Sequence, residues 1–137
     1  MKYTSKIFVT VDIIAIDYTG EKILLIERKN DPFKGMWALP GGFVDENEDL
    51  IDAAHRELKE ETSIEVETLI QVGAFGKPGR DPRQHTVSVA FTGKASSNAK
   101  VQAADDAKEA RWFDRNKLPN LAFDHADIIK EANKYWL

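Results

Sequence analysis

Acidic and basic side chains recur at fixed spacing between Gly42 and Ile64. Glu48 follows the glycine after five residues, and Arg56 follows Glu48 after seven. The segment continues as Arg-Glu-Leu-Lys-Glu-Glu-Thr-Ser-Ile, which places glutamates at positions 57, 60 and 61. Clustered carboxylates are the hard oxygen ligands that Mg²⁺ or Mn²⁺ prefers, and such ions also accept phosphate oxygens. The spacing therefore points to metal-assisted phosphate chemistry.

The sequence predicts a helix over residues 50–62 that carries these glutamates. Asp49 can cap its first turn, with Asp52 three residues further on, and acids there suit the helix dipole. At about 100° per residue, the three glutamates share one arc of the helix. The neighbouring arc carries the apolar residues Ile51, Ala54 and Leu58. An acidic run alone more often indicates a solvated face of a helix. A metal site is favoured here by the full spacing from Gly42 to Ile64, and not by the negative charge alone.

The same residues resemble the signature of the Nudix hydrolase family. That signature reads Gly, five residues, Glu, seven residues, then Arg-Glu-U-x-Glu-Glu-x-Gly-U, where U is aliphatic. Every fixed position matches except the second glycine, which is replaced by Ser63. Glycine there commonly ends the helix in a left-handed conformation, so serine costs about 1 kcal/mol or shifts the helix end, without removing a carboxylate. The likeness extends through residues 37–41 upstream and 79–83 downstream.

The resemblance implies a role for each residue of the signature. The implied metal ligands, for Mg²⁺ or Mn²⁺, are the carbonyl of Gly41 and the side chains of Glu48, Glu57, Glu60 and Glu61. The contact of Glu48 is either direct or through another ligand. Arg56 is expected to orient the carboxylates by ion pairing. The proton acceptor for water lies either on the helix or before the last strand, where the candidates are Asp105, Asp106 and Glu109.

Three basic and two aromatic residues are candidates for holding a substrate. The loop 77–84 places cations between glycine and prolines, so its guanidiniums could be held ready for a diphosphate or ribose. Alternatively, Asp81 pairs with Arg80 or Arg83 as part of the turn. The candidate contacts are Arg28, Arg80 and Arg83 for phosphate oxygens, and Phe8 or Phe33 for stacking on a base. For Arg28, a solvated loop cation is an equal alternative.

The loop at 79–83 and the strand after it look like the ADP-ribose pyrophosphatase branch of the family. This likeness implies metal-dependent hydrolysis of a nucleoside diphosphate derivative, with ADP-ribose giving AMP and ribose 5-phosphate. Two alternatives stay open: a pyrophosphatase for damaged nucleoside triphosphates, and a module that senses a nucleotide sugar without cutting it. Sensors of this pattern usually carry an added DNA-binding domain, for which 137 residues leave little room. We therefore expect an enzyme.

The order of predicted elements suits an α/β fold with a mixed β-sheet between helices. Strands are predicted at 6–16, 22–27, 37–39, 64–76, 85–93 and 109–113. A second helix is predicted from Asp124, with Ile128, Ile129, Ala132, Tyr135 and Trp136 at core-packing spacing. The Nudix resemblance implies an α/β/α sandwich, formed by residues 1–137 as a single domain.

Composition excludes several classes of protein. A chain of 137 residues can bury a core without covalent staples, and the absence of cysteine excludes disulfides and thiolate chemistry. A net charge of −4 argues against a surface that coats nucleic acid. No run of 18 apolar residues and no cleavable leader pattern is present. We expect a cytoplasmic protein with a small-molecule partner and neither nucleic acid nor membrane, and leave a homodimer open.

Overall fold

The structure is a computed structural model that describes residues 4–100 and 107–136. Within these residues, seven strands form one sheet. The strands are β1 Phe8–Ile16, β2 Lys22–Arg28, β3 Trp37–Ala38, β4 Gly41–Phe43, β5 Ile70–Phe75, β6 Thr86–Lys94 and β7 Ala107–Asp114. The helices are α1 Leu50–Thr62 and α2 His125–Ala132, followed by the 3₁₀ turn Asn133–Tyr135. In this part of the chain, neither helix has the length and apolar sequence needed to cross a membrane.

The central strand of the sheet is β1. It runs parallel to β6, from Phe8 beside Thr86 to Ile16 beside Lys94. The other pairings are antiparallel, and the order across the sheet is β3-β2-β1-β6-β5, with β4 on β1 and β7 on β2. One parallel pair among antiparallel neighbours makes the sheet mixed, as predicted.

Two cores lie on opposite faces of this sheet, because successive residues of β1 point to opposite sides. On one face, Val11 and Ile13 belong to a buried cluster with Leu58 of α1. On the other face, Ile14 belongs to a buried cluster with Ile128 of α2. Each helix therefore covers one face of the sheet, and the predicted α/β/α sandwich is confirmed.

The strand predicted at 64–76 is wrong in its first half. Only Ile70–Phe75 forms β5, with a register shift between Gln71 and Gly73. The preceding apolar residues Ile64, Val66 and Leu69 are buried in the core beneath α1 without joining the strand. Burial alone therefore produced the apolar pattern that resembled a longer strand.

The short strand β4 was not predicted, because Gly-Gly-Phe has little intrinsic strand preference. It forms because Gly41–Phe43 pairs with Thr10, Val11 and Asp12 of β1. Because β1 pairs with β4 near its start and with β2 at its end, where Ile16 lies beside Ile23, its two ends have different neighbours on this side. The site described below opens at this divergence.

Both helices begin where the sequence predicts, but the predicted side-chain caps are absent. Asp49 and Asp124 occupy the N-cap positions without a side-chain hydrogen bond to the first turn. Asp124 binds Arg80 instead. The prediction that Tyr135 packs in the core is also wrong: it is 42% exposed, because the chain tightens into a 3₁₀ turn after α2.

Ser63 ends α1 in the left-handed conformation that the family signature assigns to glycine. Its φ is 64°, and its N–H donates to the carbonyl of Lys59 at 2.9 Å. We expect Ser63→Gly to raise the free energy of unfolding by about 0.5 kcal/mol, because relief of left-handed strain exceeds the entropic cost of glycine. Urea denaturation would measure this change, with Ser63→Ala, which keeps the strained Cβ, as the control. A less stable glycine variant would contradict the strain argument.

Candidate active site

A cavity of about 400 Å³ opens where β1 and β2 diverge. Its volume lies in the range of small-molecule sites. The acids that line it are Asp12, Asp31, Asp45, Glu57, Glu61 and Asp81. The cations that line it are Arg28, Lys29, Arg80 and Arg83. Charges of both signs, contributed by different elements, therefore meet in one concave site.

The carboxylates of two glutamates of α1 lie against the two consecutive glycines of β4. Glu61 is only 6% exposed, and its Oε1 accepts the N–H of Gly41 at 2.7 Å. The carboxylate of Glu57 lies so close to Gly42 that a Cβ there would come within 2.6 Å of it. The glycine pair therefore allows the carboxylates of Glu57 and Glu61 to approach the backbone closely.

Arg56 binds several acceptors around this pair of glutamates. Its Nε and Nη2 donate to the two oxygens of Glu48 at 2.7 and 2.8 Å. Its Nη1 donates to Glu57 at 2.8 Å and to Glu60 at 3.2 Å, and Nη2 also reaches the carbonyl of Phe43. A planar guanidinium suits such multiple contacts, so Arg56 fixes where the carboxylates point.

The pairing with Arg56 holds the pKa of Glu48 at about 2, well below its ordinary value. Because the folded pKa is the lower one, this interaction stabilises the protein above about pH 4.5 and is lost as the pH falls towards 2. We expect Glu48→Gln to show a shallower loss of stability between those pH values. Denaturation at a series of pH values would measure it, with the exposed Glu46→Gln as a matched control. Equal acid slopes for the wild type and Glu48→Gln would contradict this prediction.

The remaining predicted catalytic residues lie apart from the cavity lining or outside the described ranges. Glu60 is exposed and does not line the cavity. Glu109 lies on β7, where its half-exposed carboxylate pairs with Arg111, and it does not line the cavity either. Asp105 and Asp106 fall outside the described residues.

The oxygen donors of the cavity suit a divalent cation that needs few carboxylates. Within residues 4–100 and 107–136, no three His, Asp or Glu side chains are gathered tightly enough to hold a metal ion. Glu57 and Glu61 nevertheless place carboxylates beside adjacent backbone residues in one cavity. Mg²⁺ commonly takes one or two carboxylates and completes its shell with water and phosphate oxygens. The residues present therefore fit such an ion.

Two of the predicted phosphate contacts are brought together by an aromatic ring that the sequence did not single out. The guanidinium carbons of Arg28 and Arg83 lie 5.0 and 5.9 Å from the ring centre of Phe123. Arg83 also binds Asp81 through its backbone and side chain, which is the turn pairing considered as the alternative. Both arginines line the cavity, so the turn pairing and the exposure of Arg83 to a ligand are compatible.

The two aromatic residues predicted to stack on a base do not line the cavity. Phe33 packs edge-on against Phe123 at 4.7 Å, beside a small buried cluster. Phe8 is exposed and contacts Phe43 edge-on at 6.0 Å. Of the described aromatic residues, Phe43 and Phe123 line the cavity together with His125. Sequence spacing could not show which phenylalanines line the cavity. Their positions depend on how β4 and the loop before α2 fold back onto the sheet.

A buried polar network that the sequence analysis missed adjoins the cavity. Arg80 is 5% exposed and donates Nε and Nη2 to Asp124 at 2.9 and 2.6 Å. Its Nη2 also lies 3.9 Å from Asp12, which accepts the hydroxyl of Ser88. The signal in the sequence was Asp12 itself, since an acid inside an apolar strand requires a partner. Arg80 thus binds carboxylates in this network and also lines the cavity, and its contact with phosphate stays a prediction.

Burial lowers the pKa of His125, so its ring is neutral near pH 7. The N–H of Leu39 donates to Nδ1 at 2.9 Å, which places the ring proton on Nε2. Nε2 lies 3.5 Å from a carboxylate oxygen of Asp12. The ring therefore links the buried network to the segment that precedes β4.

Comparison with known proteins assigns the chain to a family. A model of the NUDIX domain matches residues 6–132. The chain belongs to the Nudix family. This confirms the resemblance inferred from the signature, although the second glycine is replaced by Ser63.

Individual Nudix relatives agree with this assignment. The chain is 46% identical over 134 residues to the ADP-ribose pyrophosphatase of Methanocaldococcus jannaschii, which covers 98% of this chain and 79% of that protein. It is 39% identical over 129 residues to the ADPR responsive transcriptional repressor NtrR of Acinetobacter baylyi, covering 90% of this chain and 52% of that protein. The prediction of a Nudix hydrolase is borne out by the family match and the pyrophosphatase relative.

Solved Nudix structures share the fold. The NUDIX domain of Shewanella oneidensis NrtR, complexed with ADP ribose, superimposes with a TM-score of 0.87 at 31% identity, over 98% of this chain and 91% of that one. A MutT/nudix family protein from Enterococcus faecalis gives a TM-score of 0.89 at 34% identity, over 98% of this chain and 64% of that one. The Nudix fold therefore extends over nearly the whole chain.

Proposed function

We propose that the chain hydrolyses the diphosphate linkage of ADP-ribose to AMP and ribose 5-phosphate, with a divalent metal ion as cofactor. One observation carries this proposal: a single cavity is lined both by Glu57 and Glu61 and by Arg28 and Arg83. A bridging diphosphate needs its negative charge compensated, and these groups supply a cation site and guanidiniums to do so. The pyrophosphatase relative at 46% identity supports the same substrate.

The proposed metal site is centred on Glu57 and Glu61, with the carbonyl of Gly41. Glu60 and Glu48 are proposed to complete or support it, and Mg²⁺ or Mn²⁺ suits the oxygen donors. When bound, the cation neutralises charge on the diphosphate and lowers the pKa of water. Arg56 orients Glu48, Glu57 and Glu60 through its ion pairs, so that these carboxylates need little rearrangement when the substrate binds.

The remaining roles concern the substrate and the proton. Arg28 and Arg83, gathered on the ring of Phe123, are proposed to bind phosphate oxygens. The exposed pair of Phe43 and Phe8 is proposed as the stacking surface for the base, since Phe43 lines the cavity and its ring touches Phe8. The proton acceptor stays a prediction, with Asp105, Asp106 and Glu109 as its candidates.

A substrate panel tests the proposal. We would compare kcat/KM for ADP-ribose, other sugar nucleotides, dinucleoside polyphosphates and oxidised nucleoside triphosphates at equal concentration with Mg²⁺. We expect ADP-ribose or a closely related sugar nucleotide to give the highest value. A triphosphate that exceeded ADP-ribose tenfold, or about 1.4 kcal/mol in transition-state binding, would assign the chain to the pyrophosphatases of damaged triphosphates.

A sensing module is the second candidate function. Two observations favour it: the 39% identical relative is an ADPR responsive repressor, and the Shewanella NrtR domain was solved with ADP ribose. Both candidates recognise the same ligand, so binding alone does not separate them. Release of AMP in the presence of Mg²⁺ identifies the enzyme, whereas tight binding without products identifies the sensor.

A further inference from the structure

We infer that His125 is a positioning residue that fixes the backbone from Leu39 to Gly41 and, through Gly41, the carboxylate of Glu61. The inference rests on the proposed metal-dependent hydrolysis and extends it. His125 begins α2 on one face of the sheet, whereas Glu61 lies on α1 on the other. The C-terminal helix would thereby control a metal ligand that it does not contact.

Three consecutive residues before and within β4 are each held by a different element. The N–H of Leu39 donates to Nδ1 of His125 at 2.9 Å. The carbonyl of Pro40 accepts the N–H of Ile13 from β1 at 2.9 Å. The N–H of Gly41 donates to Oε1 of Glu61 at 2.7 Å. Few free torsions separate the two donors, because peptide units are planar and the ring of Pro40 fixes its φ, so a shift at Leu39 is transmitted to the donor that holds Glu61.

The imidazole is itself fixed on both sides. Its side chain is 5% exposed, and Nε2, which carries the proton, faces Asp12. Asp12 is held by Ser88 and lies near Arg80, whose guanidinium binds Asp124, the residue directly before His125. A closed network of buried polar groups therefore holds Nδ1 of His125 in place as the acceptor for the N–H of Leu39.

The segment has little room to settle elsewhere if this hydrogen bond is lost. A Cβ placed on Gly41 would overlap the carbonyl oxygen of Val11 and come within 2.6 Å of Oδ1 of Asp12. The backbone of β4 thus lies in close contact with β1. Without an acceptor in place of Nδ1, the buried N–H of Leu39 is left unpaired, and any shift of its backbone towards another partner strains the close contact between β4 and β1.

Asparagine and glutamine at position 125 provide a matched pair of variants. The side-chain oxygen of asparagine can lie near the position of Nδ1, whereas glutamine places its amide near Nε2. Mn²⁺ binding without substrate would be titrated from the EPR signal of the free ion. We expect His125→Asn to bind Mn²⁺ within about threefold of the wild type. We expect His125→Gln and His125→Ala to bind about tenfold more weakly, since groups that orient ligands commonly alter affinity by 10- to 100-fold.

A core variant of the same helix separates positioning from lost stability. Ile128→Val removes a methylene group from a fully buried side chain of α2 and is expected to lower Tm without changing Mn²⁺ binding. Wild-type affinity in His125→Gln, or equal losses in the Asn and Gln variants, would overturn the inference. If His125→Ala does not fold, the difference in Mn²⁺ affinity between His125→Asn and His125→Gln still tests the inference. Wild-type protein that binds Mn²⁺ no better than Glu57→Gln would overturn the proposed metal site itself.

Discussion

Replacing Glu57 or Glu61 by glutamine is expected to lower kcat for ADP-ribose by about 10³-fold, or about 4 kcal/mol in the activation free energy. Glutamine keeps the shape of the side chain and an oxygen that can accept the contacts from Arg56 or Gly41. It removes the negative charge that a divalent cation requires. The loss should therefore appear in turnover under saturating Mg²⁺, while the folded structure is retained.

Asp52→Asn is the matched control for these two variants. It removes one negative charge from the first turn of the same helix, on an exposed side chain that does not line the cavity. Steady-state kinetics should give wild-type kcat for this control. Near wild-type turnover in both glutamine variants would show that neither carboxylate holds the metal. Glu60→Gln, from the same signature, is expected to lower turnover as well.

Gly42→Ala is expected to abolish most of the activity without unfolding the protein. The new Cβ would lie 2.6 Å from the carboxylate carbon of Glu57, which must move away. Because this carboxylate is the end of a flexible side chain, the fold can adjust at little cost, whereas the proposed metal ligand is displaced. We expect a loss in kcat of about 10²- to 10³-fold, as for removal of a ligand, with Tm near the wild-type value.

Two other glycines provide the comparison for Gly42. Gly41→Ala would place its Cβ against the backbone of β1, so it should lower the free energy of unfolding by about 1–3 kcal/mol or more. Gly73→Ala meets no atom within 4 Å among the described residues and should leave turnover unchanged. Thermal denaturation and kinetics of the three variants would separate these effects. A fully active Gly42→Ala variant would show that the close contact with Glu57 does not matter for catalysis.

Local sequence information was sufficient to predict α1 and the residues it presents. The helix spans residues 50–62 as predicted, because its apolar arc and its acidic arc lie within one continuous segment, although the side chain of Asp49 does not cap it. The order of the predicted elements then indicated a mixed sheet between helices, and the Nudix resemblance added the α/β/α sandwich. Ser63 was the one departure from the signature, and the backbone keeps the expected left-handed end there.

Features that depend on long-range contacts could not be predicted. Leu39 meets His125 across 86 positions of the chain, and Arg80 meets Asp124 across 44. The loop 77–84 was therefore predicted to bind phosphate, although the guanidinium of Arg80 binds Asp124 in the buried network. Likewise, Phe123 gathers Arg28 and Arg83 only because the loop before α2 returns to the end of β2. Residue spacing carries no information about such contacts.

We propose that this cavity binds ADP-ribose and cuts its diphosphate with the help of a divalent cation. The most direct measurement is product analysis after incubation of the protein with ADP-ribose, with and without Mg²⁺, using Glu57→Gln as the blank. We predict equal amounts of AMP and ribose 5-phosphate, released over many turnovers only when the cation and the intact glutamate are present. Tight binding of ADP-ribose with no AMP released at saturating Mg²⁺ would contradict the account and identify a sensor.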